Sequence, residues 1–168
     1  KLAGGPAHLV ARHAITMGAM RKLIVLGAAV LSLSAGSADR QKIVFARVFP
    51  NAGQIGLFIA RADGSEEHRL LPEGTNDYDP VWSPDGTTIV FTSDREGSAD
   101  LFREKPDGSA IERLTESPAY DDQAAFSPDG TQLVFVSTRS GGTSDLWTMD
   151  IASRRAKALT SGAVSYTH

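Results

Sequence analysis

The chain has 168 residues, of which 41% are hydrophobic and 22% charged, a composition typical of a single soluble domain rather than of a disordered or fibrous chain. All 20 acidic residues lie between Asp39 and Asp150 and the formal net charge is -3, so the body of the chain would repel phosphate backbones and no nucleic acid partner is expected. The sequence contains no cysteine, which excludes disulfides, thiolate metal sites and a lipidated cysteine anchor.

The N-terminal segment has the three parts of a secretory signal peptide. From Met20 the sequence reads "MRKLIVLGAAVLSLSAGSA", with two basic residues, an apolar stretch from Leu23 to Leu33 and small residues up to Ala38. We therefore predict a signal peptide over 17–38, cleaved near Ala38, and a bacterial periplasmic or secreted location. The alternatives are an apolar core strand or an anchoring helix, although the stretch is too short for a stable membrane span. Residues 1–16 precede both candidate start methionines and are predicted to be a non-native upstream segment.

The next feature along the chain is a five-residue turn motif that occurs twice. Residues 82–86 read "WSPDG" and residues 126–130 read "FSPDG", 44 positions apart. Proline at the second turn position presets φ, and glycine accepts the positive φ that closes the turn. The sequence therefore predicts structural roles between strands for Pro84, Gly86, Pro128 and Gly130.

The turn motif belongs to a repeat with three copies, over about 39–74, 75–118 and 119–162. Matching apolar triplets begin at Ile43, Ile89 and Leu133, and the earliest copy lacks its first strand. In the second copy, runs rich in β-branched and aromatic residues cover 80–83, 87–93, 99–104 and 109–115. These runs predict a four-stranded antiparallel meander, whose second run is apolar on both faces and must be covered by neighbours on both. A period near 44 with four strands is typical of a β-propeller blade and predicts an all-β fold.

The full repeat resembles that of the TolB-like propellers, a WD-like family of bacterial periplasmic proteins. The resemblance rests on an aspartate, the aromatic-Ser-Pro-Asp-Gly turn, the apolar triplet, Ser-x-Arg-x-Gly, Asp-Leu-aromatic and Leu-Thr, and spans about residues 40–160. Members of this family close a ring of six or seven blades, which implies a partial ring of about three blades over 39–163 and a need for further blades. Residues 164–168 match no other copy and are interpreted as a non-repeat tail. The family's namesake carries an α/β domain before its propeller, whereas here a blade begins almost directly after Ala38, so the resemblance is to the family and not to its namesake.

The resemblance implies two classes of function. In the first, a periplasmic propeller is a non-catalytic platform that binds a peptide or partner protein with the loops at one end of its channel. In the second, the propeller belongs to a prolyl oligopeptidase-type hydrolase whose catalytic part lies elsewhere, or to a propeller-type lyase. The sequence has no G-x-S-x-G, G-x-x-x-x-G-K or H-E-x-x-H motif, and His68 is the only histidine within the repeats. We therefore predict no catalytic residues, no metal site and no cofactor, and favour the platform.

An arginine and an aspartate recur together in two of the three copies. Arg95 precedes Asp100 and Arg139 precedes Asp145, whereas the first copy has neither residue at the matching positions. Because both residues are present or absent together, we predict that each pair forms an ion pair between the second and third strands of its blade.

The candidate binding residues lie just before the first strand of a blade, which is the innermost strand in a propeller. Asp77 and Asp121 occupy equivalent positions and are predicted to be structural, accepting backbone N–H bonds in the linker. The residues that follow them differ between the copies, and these four form the predicted binding site at the channel mouth: Tyr78, Asp79, Asp122 and Gln123. Carboxylates that converge there would attract a basic peptide segment, or a divalent cation with calcium as the natural choice.

Overall fold

The described part of the molecule consists of β-strands and their connections. The computed structural model describes residues 41–49, 54–141 and 143–162, so the predicted signal peptide, the segment 1–16 and the tail 164–168 lie outside it. Eleven strands form three antiparallel sheets, and no helix occurs within these ranges, which confirms the all-β prediction. No helix in the described ranges is therefore long and apolar enough to cross a membrane.

Each sheet is a meander of strands that follow one another in the chain. Blade 1 contains β1 (Lys42–Phe49), β2 (Gln54–Arg61) and β3 (His68–Arg69). Blade 2 contains β4 (Asp77–Trp82), β5 (Ile89–Ser93), β6 (Asp100–Glu104) and β7 (Glu112–Arg113). Blade 3 contains β8 (Asp121–Phe126), β9 (Gln132–Ser137), β10 (Asp145–Asp150) and β11 (Ala156–Ala158). The three strands of blade 1 match the copy in which no first strand was found in the sequence.

The two Ser-Pro-Asp-Gly segments form tight turns between the first and second strands of blades 2 and 3. The Gly86 amide donates to the Ser83 carbonyl oxygen over 2.9 Å, and Gly130 makes the same bond to Ser127. Both glycines have positive φ, 70° and 72°, a conformation that costs a residue with a Cβ about 1 kcal/mol or more. These turns fix the register of both hairpins.

Apolar side chains fill the two spaces between the blades. Blade 1 packs onto blade 2 through one buried cluster that includes Val44, Leu57, Leu70, Ile89, Phe91 and Phe102. Blade 2 packs onto blade 3 through a second cluster that includes Val90, Leu101, Leu114, Leu133, Phe135 and Met149. Every residue of β5 is buried, because its two faces contribute to different clusters. This arrangement confirms that a central strand is covered on both sides by neighbouring blades.

The first strands of blades 2 and 3 begin earlier than predicted. The sequence placed the start of the first run at Pro80, whereas β4 begins at Asp77 and β8 begins at Asp121. The predicted linker residues are therefore strand residues, and each strand has a bulge near its start, where Asp79 and Gln123 have φ of 49° and 54°. Polar residues with few β-branched side chains resemble a linker in sequence, and Asp tolerates the left-handed conformation that a bulge requires.

Candidate functional site

A row of three buried polar residues crosses the start of each complete blade. In blade 2 the register aligns Asp77 with Ser93 and Ser93 with Asp100, and all three side chains are fully buried. Blade 3 repeats the row with residues that are again fully buried, namely Asp121, Ser137 and Asp145. A buried carboxylate destabilises the folded state unless hydrogen bonds or an opposite charge compensate it, so the partners of these aspartates matter.

Arg95 supplies the partner for Asp77. Its Nη2 lies 2.8 Å from Asp77 Oδ1, and its Nε donates to Ser93 Oγ over 2.9 Å. The guanidinium also stacks over the rings of Phe91 and Phe102, at 5.3 and 5.0 Å from their centroids. This stacking holds the arginine flat against the sheet and directs its charge toward the first strand.

The prediction that Arg95 pairs with Asp100, and Arg139 with Asp145, between the second and third strands of a blade is wrong. Arg95 binds Asp77 rather than Asp100, and the Nη2 atom of Arg113, on the fourth strand, lies 2.6 Å from Asp100 Oδ2. In blade 3, Arg139 likewise binds Asp121. Asp145 instead accepts a hydrogen bond from the Thr160 hydroxyl over 3.1 Å. The error arose because sequence spacing does not show that the arginine folds back over an aromatic pair toward the first strand.

Asp77 and Asp121 are structural residues, but their hydrogen-bond partners are not the predicted ones. Both were expected to accept backbone N–H bonds, but their carboxylates bind arginine side chains. The amides that precede them have other acceptors: the Asn76 amide donates to Asp94 Oδ1 over 2.9 Å, and the Tyr120 amide donates to Thr138 Oγ1 over 3.0 Å. The two aspartates are therefore fully buried and anchored to the body of the blade by arginine side chains.

Blade 1 keeps the arginine over an aromatic pair, although its sequence does not keep the motif. Arg47 lies within β1, and its guanidinium is 4.5 Å from the Phe58 ring centroid and 5.6 Å from that of Phe45. Arg69, on β3, lies 5.1 Å from the centroid of the Phe49 ring. In the alignment of the repeats, Phe49 is the blade 1 residue that corresponds to Arg95 of blade 2. The feature is thus conserved in space between the blades but comes from different positions in the chain.

Three of the four predicted binding residues lie close enough to influence one another's ionisation. Burial, followed by the negative charges of Asp122 and Asp79, raises the pKa of Tyr78 to about 12. Burial, followed by the charges of Asp79 and Asp121, raises the pKa of Asp122 to about 6. Burial also raises the pKa of Asp79. We call Tyr78, Asp79 and Asp122 the acidic cluster.

The acidic cluster differs from the anchored aspartates because it has no internal cation. In the described part of the chain, no hydrogen bond or ion pair engages the carboxylates of Asp79 and Asp122, whereas each of Asp77, Asp100 and Asp121 binds an arginine. Half-buried carboxylates that repel one another and lack a counter-charge attract an external cation. Gln123, the fourth predicted residue, occupies in blade 3 the bulge position that Asp79 occupies in blade 2, and it is exposed.

Sequence reasoning missed one residue that borders the cluster. Tyr120 is 64% exposed, and its phenol is near enough to raise the pKa of Tyr78. The signal was available, because Tyr120 precedes Asp121 at a position that is Asn76 in the second copy and so does not recur. An exposed aromatic ring beside carboxylates is suited to contact a cationic side chain through its face.

A cleft at the other end of the strands is a weaker candidate. It has a volume of about 220 Å³ and is lined by both Ser-Pro-Asp-Gly turns together with Arg103 and Ile151. Its carboxylates are already engaged: Asp85 accepts bonds from Ser83 and Thr87, and Asp129 accepts the equivalent bonds in its own turn. These turn bonds leave the cleft few free acceptors for a ligand.

The side chains of the described residues are not arranged as a metal site. Within 41–49, 54–141 and 143–162, no group of three or more His, Asp or Glu side chains is placed to hold a metal ion. His68, on β3, has its Nδ1 atom 2.9 Å from the Glu66 carbonyl oxygen and is exposed. The acidic cluster supplies two carboxylates and a phenol, a set better matched to an organic cation than to calcium, which takes six to eight oxygen ligands.

Comparison with known proteins agrees with the fold. The family model of the TolB beta propeller domain matches residues 20–167. A protein assigned as TolB from Agrobacterium tumefaciens is similar with a TM-score of 0.65 and 27% identity, over 74% of this chain and 47% of that one. TolB from Acinetobacter baumannii is similar with a TM-score of 0.60 and 23% identity, over 71% and 29%. A puromycin hydrolase matches with a TM-score of 0.61 and 20% identity, over 74% and 21%, and that likeness concerns the fold alone.

The chain spans less than half the length of each of these solved structures. None of the curated protein sequences matches it.

Proposed function

The chain belongs to the TolB beta propeller domain family, and on this premise we propose that it is part of a non-catalytic binding platform in the periplasm or outside the cell. Its ligand is a basic segment of a peptide or partner protein. The segment places an arginine or lysine side chain at the acidic cluster, between the first strands of blades 2 and 3.

One observation carries this proposal: the carboxylates of the acidic cluster have no internal counter-charge. The fold provides an arginine for Asp77, Asp100 and Asp121, so blades of this kind can neutralise a buried acid where stability requires it. Asp79 and Asp122 are half-buried and without such a partner in the described residues. A cationic side chain would supply the missing charge, and Tyr78 and Tyr120 would offer ring faces beside it.

The described residues also support a non-catalytic role. An activated nucleophile requires a neighbouring base, and His68, on β3 of blade 1, is exposed with its Nδ1 atom 2.9 Å from the Glu66 carbonyl oxygen. The serines of the repeated turns donate to their own turn aspartates, which is a structural use of the hydroxyl. The similarity to a puromycin hydrolase gives no reason to assign hydrolysis to this chain, since it concerns the fold alone.

The proposal is tested with a defined cationic probe. A fluorescein-labelled peptide of nine arginines is titrated with the chain at low salt, and binding is followed by fluorescence anisotropy. We expect the double variant Asp79→Asn/Asp122→Asn to raise Kd at least about fivefold, because it removes both unpaired charges. The matched control is Glu96→Gln/Glu116→Gln, which removes the same net charge from two exposed residues outside the cluster. Equal weakening in both double variants would show only non-specific attraction and would reject the site.

Calcium provides the second arm of the same experiment. Isothermal titration with CaCl₂ measures whether the cluster binds the divalent cation instead. Calcium binding that Asp79→Asn/Asp122→Asn abolishes, without any peptide binding, would replace the basic segment with a cation as the ligand. Peptide binding that CaCl₂ does not compete away supports the proposal as stated.

The pH dependence of peptide affinity gives an independent prediction. Because the pKa of Asp122 is raised to about 6, its carboxylate gains charge as pH rises from 5 to 7.5, whereas the arginines of the probe remain charged. We expect the affinity of the native chain to increase over this range, and the increase to be absent in Asp122→Asn. An affinity that is flat in the native chain contradicts the assignment of Asp122 to the binding site.

Asp77, which is anchored by Arg95, is a control for the acidic cluster because its substitution is expected to change stability. Asp77→Asn leaves Arg95 without its buried counter-charge, so we expect a loss of roughly 3 kcal/mol or more in unfolding free energy. Asp122→Asn removes a repelled, half-buried charge and is expected to leave the melting temperature unchanged or to raise it at pH 7.5. Thermal denaturation followed by circular dichroism separates the two effects.

A further inference from the structure

Blades 2 and 3 hold the aspartate at the start of their third strand in the same way at one carboxylate oxygen. In blade 2, Asp100 Oδ1 accepts a hydrogen bond from the Thr115 hydroxyl over 3.4 Å, and in blade 3, Asp145 Oδ1 accepts one from the Thr160 hydroxyl over 3.1 Å. The amide of the residue after each aspartate donates to the same threonine Oγ1, over 3.0 Å in both blades. The two carboxylates therefore have the same orientation in their blades.

The two blades differ at the second carboxylate oxygen, Oδ2. In blade 2 this atom lies 2.6 Å from Nη2 of Arg113, and it also accepts the Ser98 hydroxyl over 3.0 Å. In blade 3, Asp145 Oδ2 has no hydrogen-bond partner among the described residues, although Asp145 is fully buried. A buried carboxylate oxygen without a donor destabilises the folded state, so a cationic donor that reaches it gains both a hydrogen bond and an opposite charge.

One difference between the repeats accounts for the unpartnered oxygen. Arg113 pairs with Phe102 in the strand register of blade 2, and Ala158 pairs with Trp147 at the same place in blade 3. A methyl group therefore stands on the fourth strand where blade 2 has an arginine side chain. Ala158 is exposed, so this position of blade 3 faces solvent.

The row of buried polar residues in blade 3 also has fewer positive charges than the row in blade 2. Asp77 and Asp100 of blade 2 each bind an arginine, whereas within the described part of blade 3 only Asp121 does. Asp145 lies on the face of blade 3 that packs against blade 2, because strand alternation places it on the side of Met149. The unpartnered oxygen is thus a feature of the packed contact between two blades of this chain.

We propose that blade 3 binds the guanidinium group of an external ligand at Asp145, in the position that the Arg113 side chain occupies in blade 2. The ligand is a small guanidinium compound or an arginine side chain. A guanidinium group is the one that the equivalent aspartate of blade 2 already binds, and it is more weakly hydrated than an ammonium group. One carboxylate and one hydroxyl are too few ligands for calcium. The proposal does not rest on the acidic cluster, which belongs to the first strands of the blades.

Thermal denaturation with a guanidinium probe tests the proposal. Guanidinium chloride is added at about 1 to 20 mM, far below the molar concentrations at which it unfolds proteins, and NaCl at the same concentration is the reference. We expect the probe to raise the melting temperature of the native chain by at least about 2 °C, because it binds the folded state. Asp145→Asn is expected to abolish this rise.

A second variant provides the test without removing the aspartate. Ala158→Arg restores the arginine of blade 2, so we expect it to raise the melting temperature in NaCl by at least about 2 °C and to abolish the response to the probe. The matched control is Ala152→Arg, which adds the same charge at an exposed residue between β10 and β11 and is expected to change neither quantity. Arg113→Ala gives blade 2 the arrangement of blade 3, and it is expected to lower the melting temperature and to enlarge the response to the probe.

Capped amino acids distinguish the two sources of the guanidinium group. N-acetyl-arginine amide represents an arginine within a peptide, and N-acetyl-lysine amide is its control. Stabilisation by the capped arginine supports an arginine side chain as the ligand, whereas stabilisation by guanidinium alone supports a small free cation at the same position. Equal stabilisation by the arginine and lysine compounds would contradict the guanidinium specificity.

Three results would overturn the proposal. The first is a native chain that guanidinium does not stabilise relative to NaCl. The second is a response that persists undiminished in Ala158→Arg, which would show a general effect of the ion. The third is a response that is lost in Asp79→Asn/Asp122→Asn but kept in Asp145→Asn, which would place the binding at the acidic cluster.

Discussion

Glu104 is a carboxyl group that the fold buries without a partner. Its residue is 1% exposed, and within the described structure neither side-chain oxygen makes a hydrogen bond. Burial raises its pKa to about 8, against the opposing effect of the Arg95 charge. The equivalent residues are Ala60 in blade 1 and Met149 in blade 3, so an apolar side chain suits this position between blades.

Replacing Glu104 with the residue of blade 3 should therefore stabilise the chain. We expect Glu104→Met to increase the unfolding free energy at pH 8 by about 1 to 4 kcal/mol, because it removes the cost of ionising a buried acid. In the native chain the folded-state pKa is raised above the unfolded value, so stability is greatest below about pH 4.5 for this group and is lost as pH rises toward 8. Urea titrations at pH 5 and pH 8 measure both effects.

The matched control for Glu104 is the exposed glutamate Glu96 in the same blade. Glu96→Gln removes the same charge from a solvent-exposed side chain and is expected to change the unfolding free energy by less than about 0.5 kcal/mol at either pH. Glu104→Gln should lie between the native chain and Glu104→Met, because it removes the charge but keeps a buried polar group. A native chain whose stability is the same at pH 5 and pH 8 would contradict a raised pKa at Glu104.

At the scale of the element, the hairpin between β6 and β7 determines how close two blades come. Gly108 has φ of 78°, and a Cβ added there would lie 2.5 Å from the carbonyl oxygen of Leu70 in blade 1. Gly64 occupies the same position of the equivalent hairpin in blade 1, with φ of 83° and no atom within 4 Å of an added Cβ. The two glycines share a backbone conformation and differ in whether a neighbouring blade is in contact.

This difference makes a paired prediction. Gly64→Ala and Gly108→Ala both incur the strain of a positive φ, about 1 kcal/mol, but only Gly108→Ala also pushes blades 1 and 2 apart. We expect Gly108→Ala to lower the unfolding free energy by about 1 to 3 kcal/mol more than Gly64→Ala in urea titrations. Equal losses would mean that the interface between blades absorbs a methyl group without cost.

The elements of the fold were predicted more accurately than the partners of the site. The repeat of 44 residues and its turns were sufficient to predict the three meanders, because local turn chemistry and apolar alternation determine strands. The start of β4 was missed because "NDYDP" contains a bulge, whose left-handed Asp79 depends on neighbouring strands. The partner of Arg95 was missed for a similar reason, since stacking on Phe91 and Phe102 selects Asp77 over Asp100. Of the four predicted binding residues, Tyr78, Asp79 and Asp122 lie close together and Gln123 lies outside the acidic cluster, while the neighbouring Tyr120 was not identified. The binding role of these residues stays a prediction.

At the scale of the whole molecule, polar contacts supplement the apolar packing between blades 2 and 3. Glu112, on β7, forms an ion pair with Arg103 of its own blade and another with Arg154 of blade 3. Arg154 also donates to the Arg113 carbonyl oxygen. These groups are partly exposed, so each pair contributes at most about 1 kcal/mol, and the buried apolar clusters dominate the association of the blades.

The consecutive order of strands within each sheet has a consequence for how the molecule opens. Every strand pair joins neighbours in the chain, so a blade can lose its backbone hydrogen bonds without disturbing pairing in another blade. Among residues 41–49, 54–141 and 143–162, blade 2 packs against a neighbouring blade on both faces, whereas blades 1 and 3 each pack against one blade. In hydrogen exchange followed by mass spectrometry at low concentration, we expect amides of 89–104 to exchange more slowly than those of 42–61 and 132–150. Uniform protection of all three segments would instead indicate that the blades open as one cooperative unit.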